Sequence, residues 1–308
     1  TLTDAEHRRA IAYACERVNG RVPVIAGCMD SSTQRVIENV QRLEEMGGTT
    51  AVVTPVFYAR HATQEETVRH FEEISKNTNA NLMIYNIPPF TGQNLTADTI
   101  IKISKIDKVI GVKDTSGNFP NFIKLLNYFK GSDFLVHQGA TNLAVPSMLM
   151  GADGYIPSLA PLFPQAHLKL YEYGKAGDIE NALKWGAIVD EICKLYPMAK
   201  SQTASTKYAM STLGFVDKRV CQPTEPITEE EMKRIEASRT TKLNIIYSYL
   251  NAKKLGYDYS MQQKVYNVLP KITLQDLVKF VNENIANKPF RYIILGDESD
   301  IDMKSLEK

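Results

Sequence analysis

The sequence has no large excess of positive or negative charge, and it has no long apolar run. Each of these absences argues against a class of protein. Its 308 residues carry 36 Lys and Arg against 35 Asp and Glu, for a formal net charge of +1. The basic residues are scattered, so we expect neither nucleic acid nor an anionic membrane surface as a partner. No apolar run is long enough to span a bilayer. Small neutral or anionic metabolites remain open as partners.

Cysteine is also sparse. Cys15, Cys28, Cys193 and Cys221 lie far apart and form no CxxC pair. This spacing is typical of reduced thiols and predicts neither a disulfide framework nor a zinc site. Because no cationic leader followed by an apolar stretch is recognisable, we expect a cytoplasmic protein. We also expect no metal site.

The first two-thirds of the sequence repeats one theme, in which a short apolar strand and a polar turn precede an amphipathic helix. The predicted strands cover residues 22–26, 50–54, 82–85, 109–112, 134–137 and 154–156. Between them, apolar residues fall at helical spacing, as in Val36, Val40 and Leu43, and Gly47 ends that helix. Strands that are apolar throughout belong to a parallel sheet covered by helices.

Two parallel architectures fit this pattern, a doubly wound sheet and a (β/α)8 barrel. No GxGxxG or GxxxxGK[ST] loop follows a predicted strand, so the phosphate-binding loop of a nucleotide-binding sheet is missing. The barrel is therefore favoured, and its strand ends converge on one mouth. The residues predicted at those ends are Cys28, Thr54, Tyr85, Lys113, Gly139 and Ile156.

Lys113 is the strongest candidate for chemistry. It ends the apolar run 109–112, and Tyr85 ends the strand before it. Partial desolvation at such a position favours the neutral amine, which attacks carbonyl groups and forms Schiff bases. The alternative for Lys113 is a strand-end lysine that extends its charge into water. For Tyr85 it is a core aromatic whose hydroxyl is satisfied.

Several motifs resemble one enzyme family. They are YNIP at 85–88, TG at 91–92 and GVKDTSGN at 111–118, together with VPVIAG at 22–27, TP at 54–55, GADG at 151–154 and PITEEE at 226–231. Over residues 1–237 the sequence resembles the pyruvate-dependent class I aldolases grouped around dihydrodipicolinate synthase and N-acetylneuraminate lyase. The resemblance implies a (β/α)8 TIM barrel followed by C-terminal helices, a lyase or aldolase without a cofactor, and a homotetramer.

The same resemblance implies roles for individual residues. Lys113 would form an imine with pyruvate or another 2-oxo acid, and Tyr85 would shuttle a proton. Gly139 and Ile156 would line the pocket through backbone groups. Tyr58 would fill the place of a second tyrosine that relays protons across a subunit contact in this family.

Two neighbouring phenylalanines add detail to the resemblance. Phe57 is expected in the core. Phe90 stands where dihydrodipicolinate synthases usually carry an arginine that binds the carboxylate of the aldehyde substrate. This difference favours a lyase or a 2-keto-3-deoxy-sugar-acid aldolase over a true dihydrodipicolinate synthase.

The sequence departs from the family at its N-terminal side. The family's Gly-[Thr/Ser]-Thr-Gly-Glu loop, which holds the substrate carboxylate, occurs nowhere in the sequence. Six strands are predicted where a closed barrel has eight, a difference of roughly 60 residues. We therefore expect an N-terminally incomplete barrel, with unpaired strand edges and reduced stability.

The second departure is a predicted α+β tail over residues 238–308. Its segment 287–297 resembles the C-terminal part of pitrilysin-like metallopeptidases. None of the five histidines lies in an H-x-x-E-H motif, so we expect a fragment without peptidase activity. The alternative to an active aldolase is an inactive composite or scaffold chain with fragments of both families. A natural fusion, whose barrel is completed by the tail or by a partner chain, is also open.

Overall fold

A single parallel sheet forms the centre of the protein. The structure, a computed structural model, describes residues 2–238 and Lys279. Six strands in the described part pair in the order in which they occur along the chain. They are β1 (Ile25–Gly27), β2 (Thr50–Val53), β3 (Asn81–Asn86), β4 (Val109–Asp114), β5 (Leu135–Gln138) and β6 (Gly154–Tyr155). A doubly wound sheet reverses its strand order, so this sequential order confirms the barrel architecture.

Helices connect and follow the strands. They are α1 (Asp4–Val18), α2 (Thr33–Glu45), α3 (Gln64–Asn77), α4 (Pro88–Thr91), α5 (Ala97–Ile103), α6 (Phe119–Tyr128), α7 (Ala144–Leu149), α8 (Pro164–Lys175), α9 (Ile179–Cys193), α10 (Gln202–Ser211) and α11 (Glu229–Ser238), with short 3₁₀ turns at Thr141–Leu143 and Tyr196–Met198. Thr63 illustrates how they begin, because its side chain and that of Glu66 cap α3 reciprocally. None of the helices in the described part is both long and apolar enough to cross a membrane.

The predicted helical stripe packs as expected. Val36, Val40 and Leu43 of α2 are fully buried, and Gly47 follows this helix with a φ of +81°, a conformation that glycine adopts without steric cost. All six predicted strands are confirmed, with ends that differ by a few residues. In particular, β4 runs through Asp114, so Lys113 lies inside the strand rather than after it.

Side chains along each strand alternate between the helix-facing side of the sheet and its inner side. Ile84 and Val112 are fully buried in the core that also contains Phe71 of α3 and Phe122 of α6. Because side chains alternate along a strand, Tyr85 and Lys113 lie on the opposite, inner side. The fold therefore separates a helix-covered core from an inner surface that carries the candidate catalytic groups.

The chain divides into residues 1–235 and 236–308. The predicted α+β tail and its peptidase-like segment 287–297 lie outside the described residues, apart from Lys279. The domain boundary placed near residue 237 and the nature of the tail therefore stay predictions. The four cysteines are separate free thiols, as their spacing predicts.

Candidate active site

The ends of β3 and β4 bring Tyr85 and Lys113 together. The two residues are paired in the β3–β4 register, so their side chains leave the sheet at the same level and on the same face. Both are half-buried. The Lys113 Nζ lies 4.3 Å from the centroid of the Tyr85 ring. An amine and a phenol thus share one small region of the inner surface, as the sequence predicts.

A buried polar pair follows these two residues on the helix-facing side. Asn86 and Asp114 are next along each strand and are paired in register. The Asn86 Nδ2 donates to Asp114 Oδ1 at 3.2 Å, and the Ser116 backbone N–H donates to the same oxygen at 2.8 Å. Burial raises the pKa of the Asp114 carboxyl. Its Oδ2 has no hydrogen-bond partner in the described part of the chain.

Asn86 also fixes the loop that follows β3. Its Oδ1 accepts from the Leu95 backbone N–H at 3.1 Å, and its Nδ2 lies 3.1 Å from Asn94 Oδ1. The loop contains α4, and Phe90 on this short helix is 81% exposed. Arg60 donates to the carbonyl of Gly92, which joins this loop to the one after β2. One amide side chain therefore connects β3, β4 and the loop beside the site.

Gly139 and Ile156 lie just beyond the ends of β5 and β6. The N–H of Gly139 donates to the Asp114 carbonyl at 2.7 Å, and the N–H of Ile156 donates to the Gln138 carbonyl at 2.9 Å. A Cβ on Gly139 would lie 1.9 Å from Thr115 Oγ1. The glycine is therefore required by the close approach of Thr115, whose buried hydroxyl finds no partner among the described residues.

Thr54 and His137 lie level with Tyr85 and Lys113 at the two outer neighbouring strands, β2 and β5. Lys113 pairs with His137 in the β4–β5 register, and the pairing of Val53 with Ile84 places Thr54 level with Tyr85. Within the described residues, Thr54 Oγ1 and His137 Nδ1 are buried without hydrogen-bond partners. Burial lowers the pKa of His137.

Sequence reasoning did not single out His137 as a site residue, and it named Thr54 only as a strand end. The signal that was available is that Thr54 and His137 are the last residues of the predicted strands 50–54 and 134–137. Asn86, Asp114 and Thr115 were likewise present only as letters of the motifs. No group of three or more potential metal ligands occurs in the described part of the chain.

Comparison with known proteins identifies the family. Residues 1–242 match the model of the dihydrodipicolinate synthetase family. The chain belongs to this family. A 4-hydroxy-tetrahydrodipicolinate synthase of Neisseria meningitidis serogroup B is 32% identical over 241 residues, which are 77% of this chain and 81% of that protein.

Solved structures of the family share the fold. Dihydrodipicolinate synthase from Bacteroides thetaiotaomicron superposes with a TM-score of 0.73 at 26% identity and covers 77% of this chain and 81% of its own. The chloride-inhibited enzyme from Acinetobacter baumannii, complexed with pyruvate, gives a TM-score of 0.71 at 27% identity over 78% and 81% of the two chains. The six parallel strands and their helices thus match the (β/α)8 TIM barrel of the family.

The loop after β2 differs from expectation at one position. Phe57, expected in the core, is 37% exposed, because the neighbouring Val56 takes the buried position with only 4% exposure. Tyr58 is 95% exposed and has a φ of +68°. Its side chain projects from the protein and is not packed against Tyr85 or Lys113. The relay role of Tyr58 therefore stays a prediction.

Proposed function

We propose that this chain is a class I aldolase or lyase in which Lys113 forms a Schiff base with pyruvate or another 2-oxo acid. The observation that carries the proposal is the 4.3 Å separation of the Lys113 Nζ from the Tyr85 ring on the inner face of the sheet. Such a reaction needs an amine to form the imine and one mobile proton beside it. The relative from Acinetobacter baumannii, solved with pyruvate, supports this class of substrate.

The chemistry follows from these two groups. The neutral amine of Lys113 adds to the ketone carbon. The ketone oxygen takes one proton from that nitrogen and one from solvent and leaves as water, and a protonated imine remains. In a 4-hydroxy-2-oxo acid this imine accepts the electron pair of the breaking C3–C4 bond, which gives an enamine and an aldehyde. Tyr85 shuttles the proton of the C4 hydroxyl to C3 of the enamine. Hydrolysis then releases pyruvate, and the reverse sequence is condensation.

The aldehyde partner is a lyase-type or 2-keto-3-deoxy-sugar-acid type substrate in this proposal. Phe90 occupies the place of the arginine that would bind a second carboxylate, and it presents an exposed apolar ring instead. A neutral, hydroxylated aldehyde needs no cation there. We further propose a homotetramer, as the family resemblance implies, in which the exposed Tyr58 meets a neighbouring subunit and relays protons.

Borohydride trapping tests the proposal directly. The protein is incubated with pyruvate and reduced, and the peptides are sequenced by mass spectrometry. We expect the adduct on Lys113 and none on Lys108, a partly buried lysine just before β4 whose Nζ donates to the carbonyls of Ser75 and Thr78. Lys113→Arg keeps the positive charge but cannot form the imine, and it should abolish labelling.

The outcomes separate the two functions left open by the sequence. Labelling confined to Lys113 supports the aldolase. A folded sample that shows no adduct at Lys113, at pyruvate concentrations up to tens of millimolar, would contradict it and favour the inactive composite or scaffold chain. Labelling spread over several exposed lysines would also contradict it, because it would indicate unselective amine chemistry.

A further inference from the structure

The pairing of β3 with β4 contains an irregularity that determines which residues meet. Leu82 pairs with Val109, but the next residue, Met83, pairs with Gly111. Ile110 is therefore an extra residue in β4, as in a β-bulge, and such bulges re-aim side chains next to active sites. All pairs beyond this point are shifted by one residue.

The shift is what places Tyr85 beside Lys113. If the register that begins at Leu82 continued without the bulge, Tyr85 would pair with Val112, and Lys113 would pair with Asn86. Paired residues on neighbouring strands point to the same face of the sheet, and side chains alternate along each strand. A one-residue slip of β4 would therefore turn its side chains to the opposite face from their former partners on β3. The amine and the phenol would then lie on opposite faces of the sheet.

The shifted register ends at a side-chain contact. Asn86 and Asp114 form the last pair of the ladder, and the Asn86 Nδ2 donates to Asp114 Oδ1 at 3.2 Å. Both residues are almost completely buried, at 0% and 2% exposure. The backbone continues the ladder one step further, where the Thr115 N–H donates to the Asn86 carbonyl at 2.8 Å. A slip by one residue would break this buried bond.

We propose that Asn86 and Asp114 are positioning residues, whose hydrogen bond holds the bulged register of β3 and β4 and thereby holds Tyr85 beside Lys113. This inference rests on the proposed Schiff-base function and assigns to the pair a task in it. The pair acts through its hydrogen bonds, from the helix-facing side of the sheet, while the reacting groups project from the inner side. Misplacement of a reacting group by about 1 Å can cost about 10²-fold in rate.

Conservative and disruptive variants of the same residue separate this role from others. Asp114→Asn keeps an oxygen that accepts from both Asn86 and the Ser116 N–H but removes the carboxyl. Asp114→Ala removes both bonds. The maximal rate of pyruvate trapping at Lys113, per folded molecule, should stay within about threefold of wild type in Asp114→Asn and fall about tenfold or more in Asp114→Ala.

Two further variants keep the test decisive. Asn86→Ala removes the other half of the bond, together with the bonds that Asn86 makes to Asn94 and Leu95, and should reproduce the loss. It covers the case in which Asp114→Ala does not fold. Ser75→Ala is the matched control, since it deletes a part-buried hydrogen bond to the Asp107 carbonyl, which lies before β4 and outside the β3–β4 ladder. It should trap pyruvate at the wild-type rate.

Each outcome has a definite meaning. Folded Asp114→Ala or Asn86→Ala that traps at the wild-type rate would overturn the inference, because the bond would then serve stability alone. An equal loss in Asp114→Asn, with a shifted pH profile of trapping, would also overturn it, because the carboxyl charge would then be the active feature. Wild-type protein that is folded and does not label at all would instead refute the proposed function and the inference together.

Discussion

His70 provides a test of how the end of β2 is held in place. It lies on α3, is 2% exposed, and its Nε2 lies 3.2 Å from the Thr54 carbonyl while its Nδ1 lies 2.9 Å from Thr33 Oγ1. A carbonyl only accepts, so the proton resides on Nε2 and Nδ1 accepts from the hydroxyl. Burial, reinforced by the nearby His61, lowers the pKa of His70 from 6.5 to about 4.

The sign of the pH effect follows from this lowered pKa. The unfolded chain binds a proton at His70 below pH 6.5, whereas the folded protein binds it only below about pH 4. Stability from this residue is therefore fully present above pH 6.5 and decreases as the pH falls toward 4. Between pH 7 and pH 5 the loss integrates to about 2 kcal/mol, since each pH unit between the two values costs about 1.4 kcal/mol.

Urea unfolding of the wild type and of His70→Gln, each at pH 7 and pH 5, measures this term. Glutamine retains an N–H that reaches the Thr54 carbonyl but does not titrate. The wild type should lose about 2 kcal/mol more than the variant between the two pH values. His167, whose pKa burial also lowers to about 4, is common to both proteins and cancels. Equal losses in the two proteins would show that His70 is not held neutral by burial.

Three further predictions concern the site itself. Gly139→Ala should cost about 1–3 kcal/mol of stability, because its Cβ would lie 1.9 Å from Thr115 Oγ1. Thr115→Ala in the same chain should recover most of this loss. If urea unfolding gives the same cost of Gly139→Ala with Thr115 in place and in the Thr115→Ala background, this packing is contradicted. Tyr85→Phe should still trap pyruvate at Lys113 but release pyruvate from a 4-hydroxy-2-oxo acid about 10²–10⁴-fold more slowly in a coupled dehydrogenase assay; unchanged release would remove Tyr85 from the mechanism. Phe90→Arg should raise kcat/KM for a carboxylate-bearing aldehyde about two- to fivefold relative to a neutral one, and no change in that ratio would place residue 90 outside the substrate's reach.

The local sequence pattern was sufficient to predict the strands and the buried face of α2. Short apolar runs separated by helical spacing allow few alternatives, and Val36, Val40 and Leu43 are buried as that spacing requires. The proximity of Tyr85 and Lys113 was also predictable, because neighbouring parallel strands end on the same side of a sheet. These features depend on local order and on one topological rule.

Features set by packing between segments were not predictable in the same way. The extra residue Ile110 in β4 leaves no mark in the apolar run, so the register that pairs Tyr85 with Lys113 could not be derived from spacing. Phe57 is expected in the core, but the shorter Val56 next to it takes the buried position. Such choices depend on the shape of the surrounding core.

The distribution of unpaired polar atoms argues for a site on the inner face. Five buried side-chain atoms lack a hydrogen-bond partner in the described part of the chain, and four of them belong to Thr54, Asp114, Thr115 and His137, at the ends of β2, β4 and β5. Each costs about 1–3 kcal/mol when left unsatisfied, so a sequence selected for stability alone would not collect them at one end of the sheet. By strand alternation, Thr54, Thr115 and His137 share the inner face with Lys113, whereas Asp114 lies on the helix-facing side. A polar ligand bound as an imine to Lys113 would bring hydroxyl and carbonyl groups to the surface where unpaired donors and acceptors are concentrated.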